Sequence, residues 1–306
     1  LNVKNLILPL FVSDDDLSGT EVSSMPDIKR HSIKSLLKEA NEAFKLGIPS
    51  IALFPYINPD SKDEKGSLAL SKNNIINKCV IQLKRSIPDL GVICDVALDP
   101  YTNHGQDGLI IDGKVDNDET IKILCEQSLI LADSGCDVLA PSDMMDGRIK
   151  SIREVMEKNN FNNIQIMSYA AKYASNFYGP FREILGSSKS NSNNLKQTYQ
   201  LSSANSDEAI REINFDIDEG ADMIIVKPAL SYLDIIYRAR NETNIPVYGF
   251  QVSGEYSMIK SAAEKGWLDE DKAAYESLIS IKRSGAYGMF TYFAKKIALM
   301  LNNFEI

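Results

Sequence analysis

The chain has 306 residues, 44% of them hydrophobic, with 42 acidic against 33 basic side chains, a formal charge of -9 and a pI near 4.9. That length suits one large α/β barrel or two smaller domains, and the hydrophobic fraction is enough for a substantial core. The negative surface field argues against nucleic acid and anionic membrane as partners, and a small anionic substrate would need a local basic cluster.

Cys79, Cys94, Cys125 and Cys136 show no CxxC spacing and read as reduced thiols of a cytoplasmic protein. No apolar stretch reaches the ~18 residues of a membrane span, and the opening "LNVKNLILPLFV" has no signal-peptide pattern.

In chain order, eight short apolar runs read as buried strands: "LILPLFV" (6–12), "SIALFPY" (50–56), "GVICDVA" (91–97), "DVLAPS" (137–142), "IQIMSYAA" (164–171), "ADMIIVK" (221–227), "PVYGFQVS" (246–253) and "AYGMFTY" (286–292). Amphipathic segments such as "SIKSLLKEANEAFKLG", "DETIKILCEQSLILADSG", "DGRIKSIREVMEKN" and "SDEAIREINFDIDEG" alternate with them, with Ser or Asp at the start and Gly at the end of several. This alternation predicts a TIM (β/α)8 barrel, one domain over 1–306. The polar stretch "GSSKSNSNN" (186–194) is either a surface loop or part of an active-site lid over 186–200.

Catalytic groups of such barrels sit at the C-terminal ends of strands. Lys227 ends the sixth run, where a lysine either reaches solvent or is kept for chemistry, and Lys172 ends the fifth. A lysine desolvated or close to another cation becomes a nucleophilic amine that forms a Schiff base with a ketone or aldehyde. Two side by side suit an enzyme holding two carbonyl substrates; the alternative is one nucleophile and one charge.

After the third run, "CDVALDPYTNHGQDG" gathers Asp95, Asp99, Asp107 and His104, which either surround a hard cation such as Mg²⁺ or are solvated loop residues. His104 is a backbone cap, a base or a ligand. No HExxH, Cys cluster or GxxxxGK[ST] is present. Arg182 and Lys196 flank the polar stretch and suit closure over a carboxylate, while Ser253 and Tyr292 offer neutral donors to a second one.

The stretches "NLILPLFV", "DVALDPYTNHGQDG", "LAPSDMMDGRI", "SYAAKYASNFYGPFRE", "ANSDEA", "GADMIIVKP", "YGFQVSGEYSM" and "TYFAKK" resemble, in order, the porphobilinogen synthase (5-aminolevulinate dehydratase) family, from about Leu6 to the C-terminus. The resemblance implies a TIM barrel in a homo-octamer that condenses two 5-aminolevulinate molecules to porphobilinogen for tetrapyrrole (heme) synthesis. It implies Lys227 as the Schiff-base lysine of the first-bound substrate and Lys172 as that of the second. It further implies Ser253 and Tyr292 as ligands of the first carboxylate and Arg182, Lys196 and Gln200 as contacts of the second substrate. Asp95 and Ser142 line the same pocket, with Tyr173 and Phe177 on the adjoining segment.

Zinc-dependent members carry cysteines where this chain has Ala97, Asp99 and Asp107, so the resemblance points to the aspartate-type, zinc-independent branch. In that branch Mg²⁺ acts as an allosteric activator, with Glu212 aligned to its carboxylate ligand. Family members usually begin with a longer Arg-rich arm that supports the octamer and Mg²⁺ activation; the expectation here is a shortened or missing arm. Two other readings are a one-lysine Schiff-base aldolase and a catalytically silent barrel; four intact functional positions, Lys172, Lys227, Arg182 and Ser253, argue against silence.

Overall fold

A computed structural model describes residues 1–14, 18–186 and 193–303. All eight expected strands are present: β1 Leu6–Val12, β2 Ser50–Pro55, β3 Gly91–Val96, β4 Val138–Pro141, β5 Gln165–Lys172, β6 Met223–Lys227, β7 Val247–Phe250 and β8 Gly288–Phe290. Each pairs in parallel with its neighbours in sequence order, and β8 returns to β1 through Leu6 opposite Met289, closing the barrel. Barrel interior and helix layer cover both faces, so the strands read as continuous apolar runs rather than alternating ones. Every residue of β1 and of β6 is buried, Lys227 included.

The helices that follow the strands are α1 Ile33–Lys45, α2 Ile75–Ser86, α3 Asn117–Asp133, α4 Arg148–Lys158, α5 Asp207–Asp218, α6 Leu233–Glu242, α7 Glu270–Arg283 and α8 Ala294–Asn303. Side-chain caps set several of their starts: Ser32 accepts from the Ser35 N–H at 3.3 Å and Asp116 from that of Glu119 at 2.9 Å. Gly220, at φ +103°, ends the turn after α5 in a conformation that other residues resist, and the chain then enters β6.

Among the described residues, several additions have no counterpart in the expected pattern. A hairpin of Glu21–Val22 and Met25–His31 lays its second strand beside the end of β1, pairing Phe11 with Arg30. A smaller hairpin joins Ile110–Ile111 to Lys114–Val115, and an extra helix, Ser253–Glu264, is inserted before α7. The part of the expected lid on 187–192 lies outside the described residues; beyond it come a short helix, Asn193–Lys196, and Gln200. No helix among the described residues is long and apolar enough to cross a membrane.

Candidate active site

Lys172 and Lys227 are the last residues of adjacent strands and stand opposite each other in the β5–β6 register. A bulge makes this possible. Ser168 pairs with Ile224 and Ala171 with Val226, so β5 spends three steps where β6 spends two. In a regular strand counted from Ser168, Ala171 would face Lys227 and Lys172 would turn to the other side of the sheet.

The two amines meet opposite environments. Lys227 Nζ lies 4.6 Å from the Phe250 ring centre, 4.9 Å from Phe181, 5.1 Å from Tyr169 and 5.2 Å from Tyr178, with no hydrogen-bond acceptor among the described residues. Burial, and next the Lys172 charge, push its proton affinity down to about 7, so much of it is free amine at neutral pH. Lys172 is equally buried, which alone would lower its pKa, but Asp107, Asp99 and Asp95 outweigh burial and raise it. Its Nζ reaches Asp107 Oδ1 at 3.2 Å and donates to the Ser142 carbonyl. The sequence argument that two neighbouring lysines depress each other therefore describes Lys227 and not Lys172.

Asp107 organises the second half of the site. Its Oδ2 accepts from Lys196 Nζ at 2.9 Å and from the Tyr199 hydroxyl at 2.7 Å. Burial opposes its charge, but the two ammonium groups hold the carboxyl well below its usual range. Asp99 lies 4.0 Å from Lys196 and is raised by burial and by the Asp107 charge. Asp95, pushed up to about 7 by burial and the Asp99 charge, has Ser142 as a hydrogen-bonding partner and a buried Oδ1 with no partner among the described residues.

On the Lys227 side, Ser253 Oγ accepts from the Phe181 N–H at 3.0 Å and lies 3.3 Å from the Phe177 carbonyl. The Tyr292 hydroxyl and Gln200 Oε1 are buried without partners among the described residues, which leaves both available to a ligand. Arg182 sits on the helix Gly179–Ile184, where its charge acts on Tyr178. Tyr173 stacks on Tyr232 with ring centres 3.8 Å apart. His104 takes its backbone-capping role: Nδ1 accepts from the Gln106 N–H and Nε2 meets the Glu64 carbonyl, each at 3.1 Å.

A sequence profile of the family "Delta-aminolevulinic acid dehydratase" matches residues 1–300. The chain belongs to the delta-aminolevulinic acid dehydratase family. Its dehydratase relative from Bradyrhizobium diazoefficiens is 51% identical over 298 residues, 97% of this chain and 84% of the relative. The one from Archaeoglobus fulgidus is 45% identical over 97% of this chain and 91% of its own length. A crystal structure of the Toxoplasma gondii dehydratase in complex with the reaction product porphobilinogen superimposes with a TM-score of 0.95 at 42% identity, covering 98% of this chain and 85% of that one. The porphobilinogen synthase and TIM-barrel expectations are thus met.

Several side chains around the two lysines and Asp107 escaped the sequence reading. Tyr169, Tyr178, Phe181 and Phe250 form the aromatic box around Lys227, and Tyr199 binds Asp107. "FYGPF" was the available signal, an aromatic cluster directly after the Lys172 strand. Lys62 was also missed: its Nζ, lowered by burial, approaches the Leu185 carbonyl at 3.5 Å, and Asp99 acts on its charge.

The candidate metal positions differ from one another. Asp107 meets two ammonium groups and a phenol, and Asp99 faces Lys196, so this pair does not fit a hard cation. Glu212 lies on α5 in a groove with Asp146, Asp216 and Glu219, 3.9 Å from Arg211. Burial and the charges of Asp146 and Asp216 raise it while Arg148 and Arg211, in the same groove, lower it. Arg148 also pairs with Asp216, and no group of three or more His, Cys, Asp or Glu among the described residues is arranged to hold a metal ion.

Proposed function

We propose that Lys227 and Lys172 are the Schiff-base lysines through which this dehydratase joins two molecules of 5-aminolevulinate into porphobilinogen and two waters. The observation carrying this reading is their register pairing with unlike surroundings, a free amine in an aromatic box opposite an ammonium held by carboxylates.

Lys227 is the first nucleophile. Its neutral amine attacks the ketone of the first substrate and expels the carbonyl oxygen as water, giving an imine in a site from which the aromatic rings exclude solvent. Ser253 and Tyr292 receive that substrate's carboxylate. Lys172 must lose a proton before it attacks the second ketone; Asp95, whose charge acts on Lys172 and whose carboxyl is pushed up to about 7, would be the acceptor. Arg182, Lys196 and Gln200 hold the second carboxylate, with Ser142, Tyr173 and Phe177 shaping the walls. The two waters lost overall are those expelled as the two imines form. The amino group of one substrate then displaces the lysine from the other's imine carbon as the carbon–nitrogen bond forms, and carbon–carbon bond formation followed by elimination releases the second lysine, so both leave as amines.

For the metal, thiolate donors are lacking at Ala97, Asp99 and Asp107, which supports the zinc-independent reading. Glu212 would hold an allosteric Mg²⁺ whose charge offsets the acidic groove. Assembly as a homo-oligomer, an octamer in the family, rests on the family resemblance alone.

Reductive trapping tests the central reading. After incubation with 5-aminolevulinate and borohydride, peptide mass spectrometry is expected to find the adduct on Lys227, with a second on Lys172. A folded sample with no adduct on either lysine, with or without Mg²⁺, would remove both from the mechanism.

A further inference from the structure

Glu255 is 1% exposed and has no part in the chemistry above. It occupies the third position of the helix Ser253–Glu264, where a glutamate commonly reaches back to the N–H of the capping residue. One oxygen does so: Oε2 accepts from the Val252 N–H at 2.8 Å. The other leaves the helix altogether, because Oε1 accepts from the Leu230 N–H at 2.9 Å, in the loop that follows β6.

One buried carboxyl group, its proton affinity pushed up to about 7 by burial against the backbone N–H groups that favour its charged form, therefore fastens two neighbouring βα loops together. The first begins at Lys227, whose carbonyl accepts from the Tyr178 hydroxyl at 3.1 Å and from the Tyr173 N–H at 2.9 Å. The second begins at Val252 and carries Ser253. Burying a carboxylate is costly unless its oxygens are hydrogen-bonded, and a helix cap alone could be made at the surface. The cost is understandable if the loops must keep a fixed separation.

We propose that Glu255 is a positioning residue for the first substrate: it sets the distance between the Lys227 amine and the Ser253 hydroxyl, the two groups that meet that substrate's ketone and carboxylate. This rests on the assignments of Lys227 and Ser253 above. Gly254 holds the same helix start against a third segment, since a Cβ there would stand 2.6 Å from the carbonyl oxygen of Phe177, in the loop after β5.

The test is Glu255→Gln in the full chain, with 5-aminolevulinate as the probe. Gln keeps the shape but turns one acceptor into a donor, releasing one loop. The expected result is a rise of about tenfold in KM, the scale of one lost hydrogen bond, with the Lys227 adduct still reaching its wild-type yield at saturating substrate. Combined with Ser253→Ala, the two KM effects should fall short of multiplying, because both act on one contact. An unchanged KM, effects that multiply in full, or a Lys227 yield that stays low at saturation would overturn the proposal. If Glu255→Gln does not fold, Glu255→Asp serves instead: it keeps the charge near Val252 but is too short for Leu230, and the same KM rise is expected and the same results count against it. Failure of the wild type to trap at Lys227 would count against the Schiff-base assignment and not against the positioning role.

Discussion

Lys172 and Lys227 are cross-strand partners with opposite electrostatic settings: three carboxylates hold the first as a cation, and four aromatic rings strip the second of solvent. The division distinguishes the pair, because only Lys227 has its proton affinity lowered to about 7 while that of Lys172 is raised.

Replacing Lys227 with Met should abolish porphobilinogen formation while leaving the barrel intact. Met fills the aromatic box without an amine that lacks a hydrogen-bond acceptor, so stability should hold or rise by about 1 kcal/mol at neutral pH. Thermal unfolding alongside a colorimetric product assay checks both parts; residual turnover above background would remove Lys227 from the chemistry.

Trapping at Lys227 should rise through a midpoint at about pH 7, since its proton affinity is lowered to that value, whereas the Lys172 adduct should appear at higher pH. The same shift has a sign for stability. The unfolded lysine binds its proton at 10.5 and the folded one near 7, so this group lowers stability as pH falls from 10.5 to about 7 and changes it no further below that. Unfolding midpoints of the wild type and Lys227→Met should converge toward alkaline pH, and parallel curves would contradict the lowered amine.

Asp107→Asn should leave Lys172 and Lys196 as neighbouring cations without their shared carboxylate. Lys172 then loses the strongest influence favouring its proton, so its trapping profile moves to lower pH, while kcat/KM falls by about a hundredfold because both cations lose their placement. Site-resolved trapping across pH distinguishes this from a general loss of folding, in which the Lys227 adduct would vanish too.

Chelation with EDTA should leave activity in place, and Glu212→Gln should reduce any Mg²⁺ stimulation without affecting the Lys227 adduct. Activity that disappears completely with EDTA and returns only with Zn²⁺ would reverse the metal assignment.

The eight-stranded barrel was legible in the chain because strands covered on both faces must be apolar throughout, and helix caps such as Ser32 and Asp116 punctuate the intervals. Lysines at the ends of two such runs were equally visible, since a cation there has no packing reason to exist. Their relationship was not. From Ser168 to Lys172 the residue count gives the wrong face, and only the bulge in β5, a matter of pairing with β6, turns Lys172 toward Lys227. The aromatic box draws Tyr169, Tyr178, Phe181 and Phe250 from three separate places in the chain, and the carboxylate of Glu255 reaches a loop 25 residues away. Proton affinities of buried groups depend on which charges and rings surround them, and those neighbours are assembled by the closed barrel.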